Sequence, residues 1–600
     1  MMKTRIEQLL ELWRDVLSIL KNAAPSLSIA VTAVTLIEAI MTLLVLYTIK
    51  LLVDSISAHL ASAEPGISAE LIYVLCATGG VILLAALAQN LAAILRMRQG
   101  FLVSDYVDRE IHGRAIAVGL RYYESPEYYD ALERAREGGS RRPAQLISNV
   151  VISFRAMITL VGVLVLISSI EYRLLPVLLI PILIALFIRI HHARKLFKWR
   201  MSRAQKERRA SYLDFVMTKA AHAKDLRING IGPFFRDQFS KIREELRNGE
   251  TEIEQARILS DFMMVALGAI VFVAASTWLL AQSLGQDRPI GDVVLFVLLL
   301  RRAETSGREM VGNISNLVDD HLFLRRLTDF LSVPIQNART SRPSDLPIKF
   351  SSGLELADVT FQYDATEYPA LRNVSMQLRP GQIVALVGEN GSGKTTLIKL
   401  LTRLYDPTQG HVLLEGQDVR EFDPHAFRAL LSVVFQDYAI YADTVAENIR
   451  FGEVGRSASE GSISEAAEKA GASGFIEALP DSYETQLTKI FDKGHDLSIG
   501  QWQRIALARS LYATSKFLIL DEPTSAMDAK AEFELFENFR TRIGDRGALI
   551  ISHRLSTIRQ ADYIYVMADG EIVEQGTHDE LVSLRGRYDQ LFRKQAKHYR

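Results

Sequence analysis

Gly388-Glu389-Asn390-Gly391-Ser392-Gly393-Lys394-Thr395 decides how this 600-residue chain is read. An apolar run at 383–387 leads into it, and a helical pattern from Thr396 to 404 leads out. Strand, glycine-rich loop and helix in that order form a phosphate-binding loop. Glycines let the backbone curl so that its N–H groups face the phosphates of a nucleotide. Lys394 is placed to reach the β- and γ-phosphates, and the Thr395 hydroxyl to ligate Mg²⁺.

Working outward, the chain is too long for one hydrophobic core, so at least two domains are expected. The formal net charge of −1 gives no support to a nucleic-acid partner. Long apolar runs crowd the first half, whereas the second half has the composition of an α/β domain. Cys76 is the only cysteine and reads as a small apolar packing residue. One cysteine allows neither an intrachain disulfide nor a cysteine metal cluster. Ile6, Leu9, Leu10, Trp13, Val16, Leu17 and Leu20 recur at helical spacing between charged residues, predicting an amphipathic helix on a membrane surface rather than a cleaved signal.

Six spans are expected, at 27–49, 71–95, 146–170, 174–190, 262–284 and 290–312. Residues 54–70 contain no Lys or Arg, so they are expected outside. The segments 96–142 and 194–257 are rich in both and are expected in the cytoplasm, as helices continuing the spans. Ser125-Pro126-Glu127 predicts a helix start at the tip of the first segment, running to about 135. Gly230, Gly232 and Pro233 break the helical pattern of the second. Glu38, Arg155, Arg301 and Arg302 fall inside apolar runs. Charges there are costly unless paired or wet. Glu38 with Arg301 or Arg302 is therefore expected to face a polar cavity; snorkelling arginines are the alternative.

The domains are expected at 1–331 for the spans, 332–353 for a proline-bearing linker and 354–600 for the nucleotide-binding part. Tyr363 lies 25 positions before Gly388, where an aromatic ring can stack on adenine. Phe517-Leu518-Ile519-Leu520-Asp521-Glu522 is a buried strand delivering two acids at its C-terminal edge. Asp521 suits Mg²⁺, and Glu522 is placed to polarise an attacking water.

Leu497-Ser498-Ile499-Gly500-Gln501 resembles the LSGGQ signature of ABC transporter ATPases. Gln436 resembles their Q-loop glutamine, Ser525-Ala526-Met527-Asp528 their D-loop, and His553 their switch histidine. The resemblance covers 350–595, and the preceding spans extend it to exporter-type half-transporters. It implies an α-helical six-span transmembrane domain plus an α/β P-loop ATPase domain with an α-helical signature subdomain. It also implies a homodimer that holds ATP between the phosphate loop of one copy and Ser498, Gly500 and Gln501 of the other. In that arrangement Gln436 touches Mg²⁺, His553 holds the γ-phosphate and Asp528 reports across the interface.

Two departures stand out. Ile499 replaces a signature glycine, so either its backbone is ordinary helix or the interface is perturbed. Phe491 and Asp492 replace the glycine and glutamate of the exporter cross-domain loop. Trp502, Gln503 and Arg504, with Glu124-Ser-Pro-Glu-Tyr-Tyr-Asp130, resemble a bacterial subgroup exporting lantibiotic- and lasso-type peptides. The expected protein is an exporter in the bacterial cytoplasmic membrane, with its ATPase domain in the cytoplasm and a small amphipathic or peptide cargo. Lipid or lipid-linked glycan flipping, drug efflux, import, a non-transporting membrane-anchored ATPase and an ATP-gated channel are the other readings.

Overall fold

The computed structural model describes residues 14, 16–62, 67–125, 132, 135, 141–283, 290–335, 344–364, 366–456, 460–525, 527, 532, 535–537, 539–552 and 554–596. Most of the predicted helix at 127–135 and most of the N-terminal amphipathic segment lie outside these residues. The chain divides into two units. One holds residues 1–116 and 127–333, the other 117–126 and 334–600.

The first unit is built from helices α1 (Pro25–Ser62), α2 (Ala69–Ala117), α4 (Arg141–Glu171), α5 (Leu175–Thr218), α6 (Ala220–Ile228), α7 (Gly232–Ser283) and α8 (Ile290–Leu331); the short α3 (Leu120–Tyr123) belongs to the second. At 1.5 Å per residue the 49 residues of α2 run for roughly 70 Å, more than twice the hydrocarbon thickness of a bilayer. The apolar stretches are thus portions of longer helices. Among the described residues four helices, within α1, α2, α4 and α7, are long and apolar enough to cross a membrane. Helix α8 carries Arg301, Arg302 and Glu304 within its first fifteen residues.

The outer face of these helices is apolar: Leu83, Leu87, Ile270 and Val273 are all exposed. Cys76 is exposed there too, so it lies on the outer surface of α2 and not in a protein core. Inside, Leu160, Val163 and Ile167 of α4 pack on Leu295, Phe296, Leu299 and Leu300 of α8. Gly162 permits close approach of α1, since a Cβ there would come within 2.2 Å of Leu43 Cδ1. Buried Asn149 donates to Asp320 (2.9 Å), fixing α4 against α8. At the other end, Asp54 accepts from the Gly291 N–H (2.8 Å), capping α8, and Lys50 pairs with Asp292 (2.7 Å). Gly230 adopts φ +62° between α6 and α7, the left-handed geometry that a tight reversal needs.

The second unit contains two sheets. The first is antiparallel, in the order β2 (Leu371–Leu378), β1 (Leu354–Phe361), β4 (Gln409–Leu414), β5 (Gln417–Asp418). The second runs β10 (Glu571–Gly576), β9 (Tyr563–Ala568), β3 (Ile383–Gly388), β8 (Gly547–Ile551), β7 (Phe517–Asp521), β6 (Leu431–Val434). From β9 to β6 it is parallel, with β10 antiparallel at the edge. Every residue of β3, β7 and β8 is buried, as a sheet covered on both faces requires. One core lies between the sheets. A second gathers Trp502, Ile505 and Leu507 of the helix Ile499–Tyr512 with Val445, Ile449 and Ile476, forming a helical subdomain.

Residues 344–353 join this unit rather than hanging free. Ser344 N–H donates to Glu421 O (2.9 Å), and the Glu415 carboxylate takes the N–H groups of Ser351, Ser352 and Gly353. Phe350 meets Phe517 edge to face, with centroids 6.2 Å apart. Phe517 is fully buried at the start of β7. Phe517→Ala should therefore lower the stability of this unit by about 3–5 kcal/mol, the usual cost of truncating a buried aromatic ring. Thermal unfolding of the detergent-solubilised chain followed with and without ATP reads it.

Candidate functional site

Strand order builds the site. Strand β8 lies between β3 and β7, with Ile551 opposite Leu386 on one side and Asp521 on the other. Parallel pairing therefore brings the ends of all three strands to one edge, where α/β folds bind ligands. Gly388 ends β3, Asp521 ends β7, and β8 runs toward His553.

The phosphate loop needs its glycines. Gly391 and Gly393 have φ of +83° and +104°. A Cβ at Gly393 would meet Leu371 Cδ2 at 2.7 Å and Ala370 O at 2.9 Å. The helix Lys394–Leu401 starts here. Lys394 Nζ folds back onto Gly388 O and Glu389 O, both at 2.8 Å. Those carbonyls hold the ammonium over the loop. Burial lowers the Lys394 pKa, opposed by the charges of Glu522 and Asp521. Ser392 Oγ is buried with no partner, a donor left available inside the loop. Asn390 is exposed on its outer side.

The acids sit opposite. Asp521 Oδ2 lies 3.4 Å from the Thr395 hydroxyl. Burial pushes Asp521 up to about 6, and the neighbouring Glu522 adds to it. Glu522 has φ +49°, a left-handed backbone that a non-glycine residue adopts only when its surroundings enforce it. Its N–H donates to Ile551 O (2.9 Å), and Gln503 Nε2 holds its carbonyl (3.0 Å) and Ser525 Oγ (3.1 Å). The side chain takes a hydrogen bond from Gln436 Nε2 (3.2 Å). The loop, Thr395, Gln436, Asp521 and Glu522 thus converge. The donor set fits a hard divalent cation: a hydroxyl, an amide oxygen and a carboxylate beside an unpartnered hydroxyl.

His553 and Asp528 lie outside the described residues. Their neighbours are fixed by a group that sequence reasoning missed. Buried Glu532 pairs with Arg554 and accepts from the Thr557 hydroxyl (2.7 Å), while Arg554 Nη2 donates to Met527 O (3.1 Å).

Tyr363 is half-buried, edge-on to Phe361 and Tyr405, with its hydroxyl 3.1 Å from Thr396 Oγ1. Lys399 lies over both tyrosine rings and donates to Glu124 (2.6 Å), as does the Tyr405 hydroxyl (2.6 Å). Nearby, Arg121 pairs with Asp364 (2.5 Å). Residues 117–125 are thereby clasped onto the aromatic platform. Burial opposes the Glu124 charge, but Lys399 and Tyr405 outweigh it and hold its pKa below the ordinary carboxylate range.

The signature is a capped helix start. Ser498 Oγ accepts from the Gln501 N–H (3.3 Å), and Gln501 Oε1 accepts from the Ser498 N–H (2.9 Å). That reciprocal box orders the first turn. Ile499 opens the helix with an ordinary negative φ, so its β-branch is accommodated, and it is 72% exposed. Gly500 follows in the first turn. The cross-domain loop is also taut: a Cβ at Gly494 would overlap Thr488 O at 1.7 Å, and Ile490 and Phe491 stand exposed.

A phosphate loop and two acids on a parallel sheet, beside a helical subdomain opening with a capped Leu-Ser-x-Gly-Gln turn, define an ABC-type ATPase. Here it follows an apolar helical unit. The ABC transporter family model matches residues 371–525. The chain is 29% identical over 470 residues to the subtilin transport ATP-binding protein of Bacillus subtilis, covering 78% of this chain and 75% of that one. It is 26% identical over 564 residues to the nisin transport ATP-binding protein of Lactococcus lactis subsp. lactis, covering 91% and 93%. An ATP-dependent lipid A-core flippase of Syntrophus aciditrophicus is 43% identical over 253 residues, 42% of this chain and 41% of that one. A bacterial Atm1-family ABC exporter solved with ATP bound shares the fold, with TM-score 0.78 and 23% identity over 96% of this chain and 99% of that one. The chain thus carries an ABC transporter ATPase domain behind an apolar helical unit, the architecture of an exporter-type half-transporter, and its relatives are ATP-dependent transporters.

Two outcomes are expected. Glu522→Gln keeps nucleotide binding and cuts turnover by about 10²- to 10⁴-fold, the size of a general-base contribution; phosphate release and ATP retention on a filter measure both. Glu124→Gln loosens the clasp by about 1 kcal/mol, since the pair is partly screened. Because the Glu124 pKa is lowered on folding, the wild-type advantage holds above its ordinary value of 4.5 and fades as pH falls through the lowered one. Hydrogen exchange across 117–125 at several pH values follows it.

Proposed function

We propose that two copies of this chain form a homodimer that exports a peptide-like cargo across a bacterial cytoplasmic membrane by alternating access. The observation that carries the dimer is the signature turn. Ser498 and Ile499 are exposed, and the helix start they cap offers free N–H groups with a positive dipole end. The chain has one phosphate loop and one signature, so a second copy supplies the complementary half of each nucleotide site. Six spans per copy, the linker and the two cytoplasmic segments complete the assembly.

Each residue then has a task. The loop amides and Lys394 bind the phosphates, and Tyr363 stacks the base. Gln436 orients Glu522, whose carboxylate takes the proton of the attacking water, and His553 steadies the γ-phosphate. Thr395, Asp521 and Gln436 would hold Mg²⁺, which neutralises charge on the phosphate oxygens when bound. ATP favours the closed pair and so shifts the spans outward; hydrolysis lets them reset. Asp528 reports across the interface.

The peptide reading is supported by the two relatives that align over three quarters or more of their length, both named as transporters of peptides, subtilin and nisin. The flippase likeness covers 41% of that protein and supports lipid movement less. In inside-out proteoliposomes, ATP should drive uptake of a fluorescent apolar peptide, and Glu522→Gln should abolish it. Full-rate ATPase from chains isolated singly in nanodiscs would end the dimer proposal, and vesicles that never accumulate peptide would end the cargo proposal.

A further inference from the structure

We infer that a charged cluster among α1, α2, α4 and α8 binds a carboxylate of the cargo, with Arg302 as its principal contact. This rests on the peptide-export reading. Three guanidinium groups, Arg96, Arg155 and Arg302, meet two carboxylates, Glu38 and Glu309. Glu38 is almost fully buried and already taken: Oε2 accepts from Arg96 (3.0 Å) and Oε1 from Arg155 (2.7 Å). Arg155 gives its other Nη to Glu309 (3.1 Å). Among the described residues the Arg302 side chain has no hydrogen-bond or ion-pair partner, and its Nε is buried and unsatisfied. Arg301, next to it, points away and is exposed. The cluster therefore holds one positive charge more than its acids neutralise.

A second observation is independent of charge. The hydroxyls of Thr35, Thr159 and Ser306 are buried and have no hydrogen-bond partner among the described residues. Each residue is at 0% exposure. Each sits one helical turn from a cluster member: Thr35 from Glu38, Thr159 from Arg155, Ser306 from Arg302. At that spacing they share the same helix face. An uncompensated guanidinium among apolar helices is expensive, and so is a buried hydroxyl with no bond. An anion with several acceptor oxygens satisfies both at once. A cation would add to the excess charge, and a neutral apolar group would leave every one of these donors unmet. The planar fork of Arg302 matches a carboxylate, which it can hold through two parallel hydrogen bonds.

The test uses the full chain in phosphatidylcholine nanodiscs and two labelled apolar decapeptides, identical except for a free C-terminal carboxylate or an amide. Binding is read by fluorescence anisotropy without ATP, so it is separable from transport. The carboxylate peptide should bind at least tenfold more tightly than the amide. R302Q should erase most of that preference, and R302K should restore part of it. S306A, a smaller change that preserves folding, should reduce the preference severalfold. Equal binding of the two peptides, or a preference that survives R302Q and S306A, overturns the inference. Arg302-dependent binding of phosphatidylglycerol with neither peptide bound also overturns it, because the anion would then be a lipid phosphate. A carboxylate preference without ATP-driven uptake supports the site and instead removes the export reading.

Discussion

Parallel pairing of β3, β8 and β7 is the constraint on which the ATPase chemistry depends. Strand ends in register put the phosphate loop and the two acids within one site without any contact between their side chains being needed to assemble it. Such strands must be buried on both faces, which explains their unbroken apolar composition. It also explains why β7 stops at Asp521: a charge cannot continue inside that layer. The chain turns at once, and Glu522 takes a left-handed backbone to do so, held by Ile551 O and Gln503. The strained residue is the one proposed to polarise the attacking water, and the strands supply the rigidity that makes the strain tolerable.

Helix starts carry the second half of the site. The phosphate-loop helix opens with a left-handed glycine and no side-chain cap, leaving its N–H groups free for an anion. The signature helix instead has a capping box, which satisfies part of its own start and fixes the direction of the rest. The box needs Ser498 and Gln501 and is indifferent to the residue between, so Ile499 fits at N1 where a glycine is usual. Its cost falls outside the chain: a large apolar side chain, exposed as Ile490 and Phe491 are, at the helix start proposed to face the partner.

Local signals were legible and distant pairings were not. The glycine spacing, the apolar strand ending in two acids and the signature could be read because each is a short contiguous pattern. The breaks at Gly230 and Gly232 were legible for the same reason. By contrast, Glu124 meets Lys399 across 275 positions, and Glu38 meets Arg155 across 117. A sequence shows that such charges are misplaced without showing which partner takes them. Gln503 and Glu532 were missed because each acts by holding backbone or a neighbour, and nothing in residue type announces that. Cys76 was misplaced by treating an apolar run as interior, when a membrane helix turns its apolar face outward.

The charges among the apolar helices and those at the ATP site obey the same rule with opposite outcomes. At the phosphate loop the buried Ser392 Oγ, unmet among the described residues, lies where the phosphates are proposed to bind. Lys394 meanwhile rests on its own loop carbonyls, an arrangement weak enough to yield to phosphate. In the helical unit Glu38 is locked between two arginines and cannot yield, so it serves as scaffold. Arg302 Nε and the three hydroxyls have no hydrogen-bond partner among the described residues. Burying donors that nothing in the chain satisfies is destabilising, and an apolar substitution would relieve it. Their retention at one-turn spacing on packed helices is explained if the missing acceptor arrives from outside, so the cargo completes the helical unit as ATP completes the sheet edge.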